Sequence, residues 1–271
     1  MPIVKHDEFF RSHPVFTADD LTAHLEFRGS VGPRGGEALL AHHVRAGRLI
    51  RVRRGLYAVV PPGADPTSFP VDPYLVASRL TPDAVLSHHT ALEFHGRAYS
   101  AWDHLTYLAV RPSSPLSFRS HIFRGTRFPA ALIRSHSTLH GVLTADRAGL
   151  PVRVTSLERT LVDVLDRPRH SGGWEEVWRS LESVEFFDIE RVVDYALLLD
   201  NATTAAKVGF YLEQHGAVLM VEPAQVERLR RHRPRQPHYI DGAREGQGRI
   251  APGWNLVVPR EVLNRAWEEI S

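Results

Sequence analysis

The chain contains no cysteine among its 271 residues. That excludes a disulfide framework, a thiol nucleophile and a Cys-ligated zinc. Long apolar runs are missing too: no stretch approaches the roughly 18 residues a membrane span requires, and the first residues lack the apolar core of a signal peptide. The expectation is a cytoplasmic protein with no membrane contact. An excess of charge is also absent, since the formal net charge is only +2. Bulk electrostatics therefore do not demand a nucleic-acid partner, and the distribution of charge matters more. Finally, no phosphate-binding G-x-x-x-x-G-K-[ST], no G-x-G-x-x-G after a strand, no H-E-x-x-H and no G-x-S-x-G occurs. No catalytic residue, metal or cofactor is expected on these grounds.

What is present begins with the distribution of charge. Residues 1–60 carry nine Lys plus Arg against six acids, and six of the nine (Arg34, Arg45, Arg48, Arg51, Arg53 and Arg54) fall between 34 and 54. The stretch "GRLIRVRRGLYAVV" (47–60) alternates Ile50 and Val52 with Arg51 and Arg53, the period of a strand with one covered face. Leu56 to Val60 reads as a second strand, and Arg53-Arg54-Gly55 as the connection, with Gly55 able to take the positive φ of a tight loop. Upstream, residues 3–12 read as a helix stopped near His13-Pro14. Thr17 with Asp20 reads as a capping box, and Phe16 as a staple onto Leu21. A third helix is framed by Pro33 at its start and Gly47 at its stop. On it Leu40 and Val44 share one face, opposite Arg34, Ala38, His42 and Arg45.

Three helices and a basic hairpin in about sixty residues predict a winged helix-turn-helix, the geometry in which a helix enters the major groove beside a phosphate-contacting wing. Double-stranded operator DNA is the partner so implied. Arg34, His42 and Arg45 are the groove-facing candidates, with Arg34 best placed to read guanine. Arg51, Arg53 and Arg54 are the candidates for backbone or minor-groove contact through the wing, and Arg48 joins them in the DNA-binding set. The competing reading is a small helical subdomain with a solvated basic face.

Five prolines in 61–73 read as an extended linker. The chain then divides into a winged-helix domain (1–60), a linker (61–73) and an α+β domain (74–271). In the last, 73–80 and 88–95 read as helices, and 105–110, 116–123, 131–135, 138–144 and 151–156 as short strands. Helices follow: one with Leu157, Leu161, Val164 and Leu165 on a face, and one with Trp174, Val177, Trp178 and Leu181. Asp188 and Thr203 are N-cap candidates for two more.

Other constellations invite chemistry. His88, His89 and His95 lie near Glu93 and Asp83, but no H-x-x-x-H pair completes a metal set, and Ser87 capping a helix with structural histidines is the better account. Arg159 and Asp163, at i, i+4, read as a helix-face ion pair worth a few tenths of a kcal/mol, about 0.2–0.5. The run "RLRRHRPRQP" (228–237), with Arg228, Arg230, Arg231, Arg233 and Arg235, reads as a solvated turn or a secondary phosphate- or partner-facing patch.

Three stretches, "VLSHHTALEFHG" (85–96), "VTSLERTLVDVLDRPRHSGGWEEVWRSL" (154–181) and "KVGFYLEQHG" (207–216), in that order after a "RRGLY" wing, resemble the AbiEi family of antitoxins. The resemblance implies a DNA-binding antitoxin of a type IV toxin–antitoxin pair used in phage defence. Such a protein represses its own operon, and its cognate toxin resembles nucleotidyltransferases. Carried over by position, the DNA contacts fall on the third helix and wing, and 74–271 is the antitoxin domain. Two alternatives remain open: a metal-dependent nuclease with a DNA-binding N-terminal domain, and a ligand-sensing transcription factor.

Overall fold

Thr17 and Asp20 lock the first helical turn they were expected to cap: the Asp20 amide donates to Thr17 Oγ1 (3.1 Å) and the Thr17 amide to Asp20 Oδ2 (2.7 Å). The computed structural model describes residues 7–28, 33–240 and 248–264. Its first elements run α1 (Asp7–Ser12), β1 (Val15–Thr17), α2 (Ala18–Phe27), α3 (Pro33–Arg45), β2 (Leu49–Arg53) and β3 (Leu56–Val59). The expected first helix is described only from Asp7 onward; residues 3–6 lie outside the described residues. The two strands of the hairpin are joined by Arg54-Gly55 alone, Gly55 taking φ +78°, so the loop is one residue shorter than expected. Strand β1, three residues long and not anticipated, pairs antiparallel with β3 to give the order β1-β3-β2. Phe9, Phe10, Phe16, Leu21, Leu25, Leu40 and Leu49 form the core between this sheet and the helices. Edge-to-face and tilted ring contacts at 5.1–5.9 Å among Phe9, Phe10 and Phe16 add to their burial.

After this come α4 (Pro73–Ser78), β4 (Val85–Leu86), α5 (His89–Phe94), β5 (His104–Ala109), β6 (Leu116–Phe118), β7 (His121–Arg127), α6 (Ala130–Arg134), β8 (Val142–Arg147) and β9 (Leu150–Thr155). The strands form one mixed sheet of order β6-β7-β5-β4-β9-β8. The chain closes with α7 (Leu157–Asp166), α8 (Trp174–Glu182), α9 (Ile189–Leu198), α10 (Ala202–Gln214), α11 (Pro223–Arg231), β10 (His238–Tyr239), β11 (Gly248–Ala251), β12 (Leu256–Pro259) and α12 (Arg260–Asn264). The fold class is α+β, as expected.

Several expectations are corrected. The run 116–123 is a hairpin that turns at Arg119, whose φ is +56°. Of the expected strand 131–135, residues 131–134 fall in a helix, α6, with Pro129 at its N-cap and Ser135 at its C-cap; a short apolar run cannot separate strand from helix by periodicity. The strand expected at 138–144 starts only at Val142, after Gly141 at φ +61°. Asn201, not Thr203, caps α10, through bonds from the Thr203 and Thr204 amides. His88 rather than Ser87 is the N-cap of α5, at φ +54° and ψ −133°.

The boundaries drawn at 60 and 74 do not coincide with the division in the structure. One compact unit comprises 1–86, 103–125 and 144–153; the other comprises 87–102, 126–143 and 154–271. Residues 61–73 belong to the first and are held within it. The Arg119 guanidinium donates to the Pro66 and Thr67 carbonyls, and Arg147 pairs with Asp72 at 2.6 Å. Proline content alone suggested a free spacer, but its carbonyls and Asp72 anchor it. The second unit is built around the stripe Leu161, Val162, Val164 and Leu165 of α7, with Trp174 and Trp178 of α8 and Phe210 to Leu212 of α10. Both tryptophans are core residues, as their spacing predicted.

Candidate nucleic-acid interface

Helix α3 separates its faces cleanly. Leu40 is buried against the aromatic core, and His43 lies with its ring edge-on to Phe10 at 4.9 Å. Ala38, Ala41, His42 and Arg45 are exposed on the other side. Arg45 donates from Nε to the Ala41 carbonyl at 3.3 Å and remains exposed. The backbone of Arg34 lies in the first turn of α3, where groove entry would occur, but its side chain lies outside the described residues.

The hairpin is pinned at its tip. The Ala18 amide, at the start of α2, donates to the Gly55 carbonyl at 2.9 Å. Arg51 and Arg54 are exposed. Arg53, expected at the phosphate, instead donates to the Leu80 carbonyl within the same unit. Arg48, half-buried, lines an apolar cavity on another side of the sheet. The expected alternation of Arg51 and Arg53 with Ile50 and Val52 is interrupted by a register shift between Arg51 and Arg53.

Beside the tip opens a cleft of about 740 Å³ lined by Arg53, Arg54, Arg79 and Arg153, with Asp19 and Asp20 on its α2 wall. Arg153 donates to the Pro82 carbonyl, and Asp20 is already engaged in the capping box. The Nε atoms of Arg53 and Arg79 are buried with no hydrogen-bond partner among the described residues. A surplus of guanidinium groups with unmet donors suits an anion such as a phosphate. Sequence reading missed Arg79 and Arg153, because only the sheet topology brings positions so far apart in the chain to one cleft.

The remaining candidates resolve into structure. His88 is buried, its ring 5.0 Å from that of His170; burial, then the His170 charge, hold its pKa well below the usual histidine value. His89 stacks on Trp102 at 4.5 Å and bonds Glu176 through Nε2 at 3.1 Å, while His95 Nε2 meets the Thr155 carbonyl at 2.8 Å. Burial works against the Glu176 carboxylate, but hydrogen bonds from Ser100 and His89 outweigh it and bring its pKa down. No group of three or more metal-ligating side chains occurs among the described residues.

Arg159 and Asp163 are not on a solvated face. They are 1% and 4% exposed, bonded at 3.3 Å, with Arg159 also donating to the Thr138 (2.9 Å) and His140 (2.5 Å) carbonyls. Tyr195 donates its hydroxyl to Asp163 at 2.7 Å. Burial raises the Asp163 pKa against the pull of Arg159, and raises that of Tyr195 well above its usual value. The surface-pair reading failed because the partners that bury it come from 138–140 and from α9.

The 228–235 run is largely neutralised. Arg228 is fixed by Asp194 (2.5 Å) and Glu190 (2.6 Å), Arg230 by Glu213 (2.5 Å) and Arg231 by Glu227 (3.4 Å). Arg233 and Arg235 alone of the five have no carboxylate partner among the described residues.

No protein-family model matches the chain, and no curated protein does. Among solved structures, the chain is similar to the crystal structure of the RV2827C protein from Mycobacterium tuberculosis, with a TM-score of 0.62 at 22% identity over 97% of this chain and 92% of that one. At that identity the likeness concerns the fold alone. No helix among the described residues is long and apolar enough to cross a membrane.

Proposed function

We propose that this protein is a DNA-binding transcriptional autorepressor and the antitoxin of a type IV toxin–antitoxin pair, acting in the cytoplasm by binding rather than catalysis. One observation carries the DNA-binding half: the order α1-β1-α2-α3-β2-β3 closes on a β1-β3-β2 sheet and leaves His42 and Arg45 exposed on α3 and Arg51 and Arg54 exposed on the hairpin. The arginine cleft lengthens that basic surface. The antitoxin role and its nucleotidyltransferase-like toxin rest on the sequence resemblance to AbiEi antitoxins.

The test is binding to the duplex upstream of the protein's own reading frame, paired with a growth assay in cells expressing the toxin. His42→Ala with Arg45→Ala should lower affinity for that duplex at least tenfold and relax discrimination against unrelated sequence. Arg51→Ala with Arg54→Ala should weaken binding to all duplexes alike. A folded wild-type protein that binds no duplex at low salt would refute the repressor reading. Failure to rescue growth would refute the antitoxin reading separately.

A further inference from the structure

A second cavity in the first unit, of about 670 Å³, has a composition unlike the arginine cleft. Its walls include Phe10, Val15, Val60, Phe69 and Leu75, most of them buried. Four prolines, Pro14, Pro61, Pro62 and Pro70, complete them. A proline wall offers no backbone N–H, so it is poor at holding ordered water. The volume falls in the range of small-molecule sites, about 300–1,000 Å³, which are typically apolar with a few placed polar groups.

The polar groups here are Arg11, Arg48, Asp7 and Asp72. Asp72 is committed elsewhere: it pairs with Arg147 at 2.6 Å and accepts from the Tyr74 and Leu75 amides. Neither Arg11 nor Arg48 has a carboxylate partner among the described residues, and Arg48 is half-buried. With Asp72 neutralised, two guanidinium groups face a single free carboxylate. A half-buried cation at the edge of an apolar chamber favours an anionic end group on an apolar body.

We propose that this cavity binds a small apolar monocarboxylate, its aliphatic or aromatic body among the prolines and valines and its carboxylate on Arg48, with Arg11 at the rim. The site does not depend on nucleic-acid binding. Arg48 sits between α3 and β2, its amide bonded to the His43 carbonyl and its carbonyl to the Val60 amide, so a ligand there touches the connection between the two elements of the winged helix.

The experiment is calorimetric titration and thermal unfolding of the full chain with decanoate, 1-decanol and decylamine as matched probes, with 2-naphthoate as an aromatic body. Decanoate or 2-naphthoate should bind saturably at one site and raise the melting temperature with concentration. The alcohol and amine should bind at least tenfold more weakly. Arg48→Gln should lower carboxylate affinity at least tenfold while Arg48→Lys retains most of it, and Val71→Trp, at another residue of the cavity wall, should fill the chamber and abolish binding. No saturable binding by either carboxylate would overturn the proposal. So would equal binding of all three decyl probes, or undiminished carboxylate binding by a folded Arg48→Gln variant.

Discussion

Gly209 occupies the middle of α10, where a change to alanine would ordinarily help, because interior glycine costs a helix about 1 kcal/mol relative to alanine. Here the sign should reverse. A Cβ at position 209 would lie 2.1 Å from Cη2, 2.2 Å from Cζ3 and 2.8 Å from Cζ2 of Trp254. Ordinary contact begins near 3.4 Å, so the ring edge must retreat by roughly 1.3 Å, the difference between 3.4 and 2.1. The ring is poorly placed to retreat. Trp254 is 1% exposed, and its Nε1 donates to Glu213 Oε2 at 2.7 Å. Glu213 lies four residues along the same helix, so the bond lays the indole across Gly209. The Arg230 guanidinium covers the ring at 5.1 Å. A clash of this depth against a fixed ring belongs in the upper part of the overpacking range, about 2–3 kcal/mol, which less the helical gain of about 1 kcal/mol leaves a net loss of about 1–2 kcal/mol. For a chain of this size that is a fall in melting temperature of roughly 2–8 °C. Urea unfolding of Gly209→Ala measures it. Trp254→Leu should absorb most of the penalty in the double variant, as a coupled pair requires. A stabilised Gly209→Ala would refute the packing argument.

Two further predictions concern buried ionisable groups. Asp163→Ala should cost about 3–5 kcal/mol by stranding the Arg159 guanidinium, whereas Glu175→Ala, at the same i, i+4 spacing but more exposed beside Arg179, should cost under about 0.5 kcal/mol; equal shifts in the urea midpoint would refute the burial argument. Because burial depresses the His88 pKa in the folded state, the unfolded chain binds its proton first as pH falls below about 6.5, and stability should drop by about 1.4 kcal/mol per pH unit until the folded pKa is reached. His88→Asn, which tolerates the positive φ and cannot titrate, should remove that increment of slope; identical pH profiles would contradict it.

What the sequence disclosed was local. The Thr17–Asp20 box, Gly55 in the hairpin turn and the tryptophan stripe of α8 each depend on residues within seven positions of one another, and each is found where spacing placed it. What it concealed depends on distant partners. Strand β1 is three residues long and exists through its pairing with β3, some forty residues on. Arg159 reads as a surface residue until the 138–140 carbonyls and Tyr195 enclose it. Arg228 reads as free charge until α9 supplies Glu190 and Asp194. The cleft was invisible for the same reason: nothing local to Arg79 or Arg153 marks them.

That division of the arginines makes a quantitative statement about DNA binding. Counted from the sequence, eleven arginines are candidates: Arg34, Arg45, Arg48, Arg51, Arg53 and Arg54, with Arg228, Arg230, Arg231, Arg233 and Arg235. At about 0.9 per neutralised phosphate, engagement of all would give a slope of log K against log salt near 10. The structure removes Arg48 to the apolar cavity and Arg228, Arg230 and Arg231 to carboxylates, and it places Arg53 in the cleft, where a bond to the Leu80 carbonyl leaves its charge in place. It adds Arg79 and Arg153 in the cleft. If the interface is the α3 face, the hairpin tip and the cleft, the set is Arg34, Arg45, Arg51, Arg53, Arg54, Arg79 and Arg153, and the slope per protomer should be about 6. Binding curves between 50 and 300 mM salt decide the matter, with Arg79→Ala and Arg153→Ala together expected to lower the slope by up to about 2. Arg228→Ala should leave it unchanged. A slope near 10 that falls with Arg228→Ala would mean the carboxylate pairs open on DNA, and the assignment of the interface to the first unit would be wrong.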